Sequence, residues 1–371
     1  MAERELSTAF STKRTPANRQ SAWHFGLVVG LLLCWPGQAQ AADWYQLGWA
    51  SRKKITIDYT KVSGTQTNFP VLINLSTDAD LAADAQDDGD DIFFTLSDGA
   101  TRLSHEIEKF DGATGQLVAW VKVPSLPSTT DTVLYLYYGN AAAASQQNAT
   151  GAWDANYKGV WHLPNGTTLT ANDSTSNAGT GTNEGTTTAT SGQIDGAAAF
   201  NGTSQRILVP NNFSSQTSGT IEAWINSDTS RRTIFSSSKS TATFDVLGLE
   251  VKDDGGTGSL QFYVSVAGTV VLNGYTAASS FSTGSWAHVV VTVDATGNKL
   301  YVNGVNKSVT YLPGSGSSST QKFFSDITAS IDKTYIGGRR VNNTNALWWK
   351  DYIDEVRISN TPRSAGWILT E

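Results

Sequence analysis

The sequence predicts an all-β protein of two β-sandwich domains, on three observations. Apolar and polar residues alternate in short runs rich in Val, Ile, Thr, Tyr and Phe, the period-two pattern of half-buried strands. Gly, Asn, Asp and Ser punctuate these runs, and after residue 42 no stretch keeps the apolar period of a long helix. No internal repeat of fixed period is present, which argues against a propeller or a solenoid.

At the N-terminus, Lys13, Arg14 and Arg19 precede an apolar run over residues 25–35, and "GQAQAADW" offers an A-x-A cleavage site at Ala39 and Ala41. Residues 1–41 therefore read as a secretory signal peptide. The run is about half the ~20 residues a membrane-spanning helix needs, so no membrane insertion is expected once it is removed. The expected location is exported: periplasmic, cell-surface or extracellular. Cys34 is the one cysteine, and Leu33 stands where lipidation at Cys34 would need a small residue. A mature chain from residue 42 must fold without disulfides, on the strength of its cores. It would carry 22 basic and 31 acidic residues, a net charge of -9, because four Lys or Arg and two Glu precede residue 42. Such a surface repels polyanions, so nucleic acid is excluded as a partner.

The first domain is placed at residues 42–152, with strands in "RKKITIDY", "FPVLINL", "DIFFTL", "LSHEIEKF", "LVAWVKV" and "TVLYLYY". Alternation then fades in "GNAAAASQQNATGAWDANY", where the boundary falls. The second domain, residues 153–371, opens with "GVWHL" and a Thr, Gly, Ser and Asn-rich stretch that cannot build a core. Ten further runs follow, from "AAAFNG" to "DYIDEVRIS", a number that suits a two-sheet jelly roll.

Through "IDGAAAFNGTSQRILVP", "GTIEAWI", "WAHVVVTVD", "KLYVNG" and "YIDEVRIS", the second half resembles the laminin-G-like branch of the concanavalin A-like lectin/glucanase superfamily. The first half, through "RKKITID", "FPVLI", "DGDDIFF", "HEIEKFD", "AWVKVPSL" and "LYYGN", resembles a bacterial and archaeal domain of unknown function that often precedes such lectin-like domains. The resemblance implies a jelly roll of the concanavalin A type for the second sandwich. In some relatives the pair precedes a TolQ-like proton-channel domain.

Glycan-hydrolysing members of that superfamily carry alternating carboxylates on one strand, and retaining hydrolysis needs two of them about 5 Å apart. Here Trp224 and Asn226 follow Glu222 on its face, Lys252 follows Glu250, and Phe110 stands where a third acid would follow Glu106 and Glu108. The last pair is expected on a solvated strand face. No zinc spacing joins His105, His162 and His288, and His288 reads as a packed sandwich histidine. "DAQDDGDD" fails the EF-hand pattern and reads as a solvated acidic turn. No enzyme is expected.

Two candidate sites remain. In "RRVNNTNALWWK", one of Trp348 and Trp349 should face outward to stack on a sugar, with Arg340 and Asn343 bonding hydroxyls; core packing is the alternative. In "DYIDEVRIS", strict alternation puts Asp354 beside Val356 and Ile358, and Ile353 beside Glu355 and Arg357. A buried Asp354 needs compensation, either from backbone amides or an arginine, or from calcium. A structural calcium at such an aspartate is what the superfamily resemblance implies; Asp173 of "ANDSTSN" and nearby loop carbonyls are the expected remaining ligands. The expected function is exported, non-catalytic binding of a carbohydrate or cell-surface protein; a structural or adhesion part of an envelope assembly is the alternative, ahead of a glycoside hydrolase.

Overall fold

The structure, a computed structural model, describes the backbone of residues 11–13, Tyr45, and residues 48–371 except 165–167, 228–229, 242–243, 253–257 and 328–330. Cys34, Ala39 and Ala41 lie outside the described residues, whereas Ser11–Lys13, within the segment read as a signal peptide, pairs as a strand with Ser51–Lys53.

The first sandwich has one sheet in the order β1 (Ser11–Lys13), β2 (Ser51–Ile57), β8 (Thr132–Tyr138), β4 (Phe93–Leu96), β5 (Arg102–Leu103), and a second in the order β3 (Gln66–Leu75), β7 (Gln116–Leu126), β6 (His105–Asp111). Its core joins Ile55, Phe69, Val71, Ile73, Phe94, Leu134 and Leu136 to Leu117, Ala119, Val121 and Val123 of β7. The opposite face of β7, Val118 and Trp120, is buried as well, in a separate cluster with Trp153, Tyr157, Val160, Ile194 and Trp224. Burial on both faces explains the nearly continuous apolar run of "LVAWV".

The second sandwich packs an eight-stranded sheet, β10 (Thr182–Glu184), β13 (Arg206–Leu208), β23 (Lys333–Ile336), β15 (Arg232–Ser238), β16 (Val246–Lys252), β17 (Ser259–Val266), β18 (Thr269–Thr276) and β22 (Val309–Tyr311), against another. That second sheet runs β11 (Thr188–Ile194), β12 (Gly196–Asn201), β26 (Lys350–Ser359), β14 (Gly219–Asn226), β19 (Ala287–Asp294), β20 (Gly297–Val302), β21 (Val305–Lys307), and β9 (Tyr157–Trp161) also pairs with β26. A small hairpin, β24 (Arg339–Val341) and β25 (Thr344–Ala346), turns through Asn342 and Asn343, both left-handed. The Thr- and Gly-rich stretch, in which no strand was expected, supplies β10 and β11. Each lies at an edge of its sheet, where backbone pairing rather than side-chain burial defines the strand.

The two sandwiches share a buried junction. Helix α1 (Ala149–Ala152) leads Trp153 into it, and α2 (Ala365–Thr370) straddles it. Trp367 enters the first core, its ring centroid 4.6 Å from that of Phe69, while Ile368 packs on Val290 and Tyr301 of the second sandwich. Full burial of such side chains contributes about 1.5–3 kcal/mol each, so the junction is a third packed region.

β26 corrects the strict alternation expected of it. Glu222 faces Arg357 and Trp224 faces Asp354, so Glu355 and Val356 together oppose Ala223 in a β-bulge, with Glu355 left-handed at φ 50°. The extra residue resets the phase. Ile353, Val356 and Ile358 all enter the second core, whereas Asp354 joins Glu355 and Arg357 away from it. A left-handed non-glycine residue costs of order 1–3 kcal/mol, and the packing of both faces offsets it.

Candidate functional sites: an open rim and a buried carboxylate junction

Trp348 and Trp349 lie in the irregular segment between β25 and β26 rather than in a strand. Trp349 is fully buried in the second core, its Nε1 donating to the Tyr352 carbonyl at 3.2 Å. Trp348 is partly exposed and lies 4.8 Å from the Arg206 guanidinium, which also covers Tyr335 at 3.8 Å. Arg206 in turn donates to Glu184 at 2.7 Å and to Asn345 at 2.9 Å. Asn345 is the cross-strand partner of Arg340, and the Arg340 Nε is buried with no partner. Asn343, at the exposed hairpin tip, donates its backbone N–H to Ser240 O at 2.6 Å. Trp348, Arg340 and Asn343 thus lie on one rim, together with Arg206 and Glu184. Local sequence carries no sign of the last two, because they reach this hairpin through pairing of β10, β13 and β23.

The two aspartates expected to hold calcium are engaged by backbone amides. Asp173 Oδ1 accepts from Val160 and Thr175, and its Oδ2 accepts from Gly179 and the Thr175 hydroxyl, all at 2.8–3.0 Å. Asp354 Oδ2 accepts from Gln193 and Ile194, both at 2.9 Å, and its Oδ1 is buried without a partner. Burial, then the adjacent Glu355, pushes the Asp354 carboxyl well above the usual carboxylate range.

Glu106 and Glu108, expected on a solvated face, instead turn into the junction, their side chains 14% and 1% exposed. A bulge at Glu108 lets both reach the second sandwich. His162, just past β9, sits among them: Nδ1 lies 2.6 Å from Glu355 Oε1 and 3.5 Å from Glu108 Oε2, and Nε2 lies 3.2 Å from Glu106 Oε2. Ser174 Oγ at 2.6 Å and Trp153 Nε1 at 2.5 Å also donate to Glu106. Trp120 Nε1 donates to Glu108 Oε2 at 3.0 Å, leaving Glu108 Oε1 buried without a partner. Arg357 donates to Glu355 at 2.6 Å and lies 4.3 Å over the Trp120 ring.

Burial opposes every charge here, and neighbours decide which survive. His162 is raised well above its ordinary value because Glu355, Glu106 and Glu108 outweigh its desolvation. Glu106 is held down at about 2 against its own burial by the same histidine and the Ser174 and Trp153 donors. Glu108 is pushed up to about 8, by burial first and by Glu355 second. A charged His162 between ionised Glu106 and Glu355, beside a neutral Glu108, satisfies these directions.

Past Arg357 lies a second group, Glu222, His288 and Glu371. His288 Nε2 is 3.6 Å from Glu222, and the ring stacks on Trp224. Burial lowers His288 to about 4, so the contact joins a neutral ring to a carboxyl and is no ion pair. Burial and then Glu222 push Glu371 up to about 8. On the outer face of the other sheet, Glu250 accepts from Arg339 at 2.9 Å, Thr233 at 3.2 Å and Arg231 at 3.3 Å, and its neighbours on that face of β16 are Gly248 and Lys252.

No curated protein is similar to the chain. Among solved structures it is similar to domain 4 of AbnA, an extracellular GH43 arabinanase from Geobacillus stearothermophilus in complex with arabinotriose, at 22% identity and TM-score 0.41, covering 58% of this chain and 98% of that one. It is similar to the CBM40 of the Ruminococcus gnavus IT-sialidase, bound to α2,3 sialyllactose, at 16% identity and TM-score 0.35, covering 42% and 83%. The binding domain of Paraclostridial Mosquitocidal Protein 1 is similar at 13% identity and TM-score 0.40, covering 58% and 51%. Residues 88–157 match the Domain of unknown function (DUF2341), and residues 200–369 match the Concanavalin A-like lectin/glucanases superfamily in its laminin-G form. With the two sandwiches in that order, the chain carries a domain of unknown function followed by a laminin-G-like domain of the concanavalin A-like superfamily.

Proposed function

We propose that the chain is an exported, non-catalytic recognition protein whose second domain takes a carbohydrate, or the glycan of a cell-surface partner, at the rim around Trp348. One observation carries this reading: Trp348 is partly exposed and backed by Arg206, while its neighbour Trp349 is fully buried. An aromatic face flanked by guanidinium and amide donors is the surface a sugar ring requires. Burial of Glu106 and Glu108 between the domains, and the two guanidinium groups on Glu250, support the absence of hydrolysis, since neither arrangement offers a polymer an accessible pair of carboxyls.

A glycan array, followed by calorimetry on the hits, tests the reading. Trp348→Ala should weaken binding by roughly 1 kcal/mol, about fivefold, with melting nearly unchanged. Trp349→Ala should destabilise the fold by about 3–5 kcal/mol. A wild-type chain that binds no glycan on the array would favour the second reading, a rigid spacer or adhesion element of an envelope assembly, which the buried junction also suits.

A further inference from the structure

The junction holds more carboxyl groups than its cations balance. Among the described residues, Glu106, Glu108 and Glu355 meet His162, Glu355 also meets Arg357, and Asp354 lies beside Glu355 with no cation of its own, while Lys109 is occupied by Asp195 at 2.8 Å. Arg357 is further divided between Glu355 and Glu371. Buried polar atoms need partners, and here Glu108 Oε1 and Asp354 Oδ1 have none.

The surroundings of His162 suggest what the partner is. Its Nε2 points to Glu106, which Ser174 and Trp153 fix in place, so a neutral ring would carry its proton on that side. The Nδ1 lone pair would then face Glu355 and Glu108. A carboxylate that orients a histidine from behind while the other nitrogen meets two carboxylates is the support a metal-ligating histidine receives. One ligand atom from each of Glu108, His162 and Glu355 lies within 4.8 Å of the others, and Glu108 Oε1 is unpartnered in a side chain only 1% exposed.

We propose that Glu108, His162 and Glu355 bind a divalent transition ion of the zinc class, clasping the two sandwiches together. One nitrogen and two carboxylate oxygens suit zinc better than calcium, which takes oxygen alone. Tetrahedral zinc sets its ligand atoms about 3.3 Å apart, so the contact of Nδ1 with Glu355 opens by a fraction of an ångström while that with Glu108 stays near its present length. The first sandwich gives one ligand and the second gives two, so the ion would couple their stabilities.

The test loads the purified full chain with zinc chloride at neutral pH, removes free metal, and measures bound zinc and melting temperature. The expected result is about one zinc per chain and a higher melting temperature. Glu108→Gln should abolish zinc retention yet raise the melting temperature of the zinc-free chain, because it removes an unpartnered carboxyl. Glu106→Gln, behind the histidine, should weaken zinc by roughly 10–100-fold. His288→Gln should leave it bound. If Glu108→Gln fails to fold, the visible spectrum of the cobalt-loaded wild type still reports coordination. A wild type that retains no zinc and gives no cobalt band overturns the proposal. So does retention that survives Glu108→Gln or is lost in His288→Gln.

Discussion

The two groups flanking Arg357 are built from the same parts and behave oppositely. Each places one buried histidine among glutamates, and Arg357 reaches into both. His162 is pushed well above its ordinary value, whereas His288 is lowered to about 4. Both rings are buried, so desolvation disfavours the cation in each. Both rings stack on a tryptophan, and the difference lies in the carboxyls: His162 has three at 2.6, 3.2 and 3.5 Å, while His288 has Glu222 at 3.6 Å and Glu371 within 4.8 Å. A buried histidine is charged only where several carboxylates converge closely enough to repay its desolvation.

The strongest way to break this comparison is to remove the shared cation. Arg357→Met leaves Glu355 without its 2.6 Å donor and Glu371 without its nearest positive charge. Urea unfolding is expected to show a loss of about 3–5 kcal/mol. A loss under 1 kcal/mol would mean that the junction carboxyls are neutral without the arginine. Next come the histidines themselves. His162→Gln removes hydrogen bonds to two ionised groups and should cost about 2–3 kcal/mol, whereas His288→Gln replaces a neutral ring with few polar contacts and should cost about 1 kcal/mol. Equal losses would erase the distinction.

Proton linkage sharpens it further. Glu371 holds a proton in the native state up to about 8 that the unfolded chain releases near 4.5, so stability falls as pH rises across that window. Glu108 acts in the same direction over the same range. On the acid side, native His288 stays neutral down to about 4 while the unfolded chain takes up a proton below 6.5, so stability falls as pH drops through that interval. Chemical unfolding between pH 5 and pH 9 should therefore show a decline toward alkaline pH, and Glu371→Gln should flatten it by no more than about 1.4 kcal/mol per pH unit. A slope unchanged in Glu371→Gln would assign the decline to the junction groups Glu108, Asp354 and His162.

The fold class was legible because core-facing alternation dominates most strands: Leu247, Leu249 and Val251 of β16, or Leu260, Phe262 and Val264 of β17, all enter the second core as period two requires. β10 and β11 were not legible, because edge strands of Thr, Ser and Gly are defined by their neighbours' hydrogen bonds. At the rim, local sequence brought together Trp348, Arg340 and Asn343, which share one segment, and missed Arg206 and Glu184, which topology delivers. The junction was invisible for a different reason. Glu106, His162 and Glu355 lie far apart in the chain, and bulges at Glu108 and Glu355 shift the very alternation from which a strand face is read.

Asp354 is where the smallest effect decides most. A calcium ion would require its carboxylate ionised, so Asp354→Asn would destabilise the protein and abolish any response of its melting to calcium chelators. The structure instead gives Oδ2 two backbone amides and raises the carboxyl well above the usual range, beside Glu355. A neutral acid and an amide are nearly isosteric, and asparagine can keep its oxygen on Gln193 and Ile194 while placing its NH2 where Oδ1 now lacks a partner. Asp354→Asn should therefore cost no stability at neutral pH, and any change should be a gain, because the wild type must take up a proton at this carboxyl to fold. It should also weaken the alkaline decline, because one protonated carboxyl has gone. Melting should be indifferent to a calcium-selective chelator in both proteins. A large loss in the variant, with chelator sensitivity in the wild type alone, would restore calcium at Asp354 and show that the carboxyl is held ionised by an ion rather than neutral by its burial.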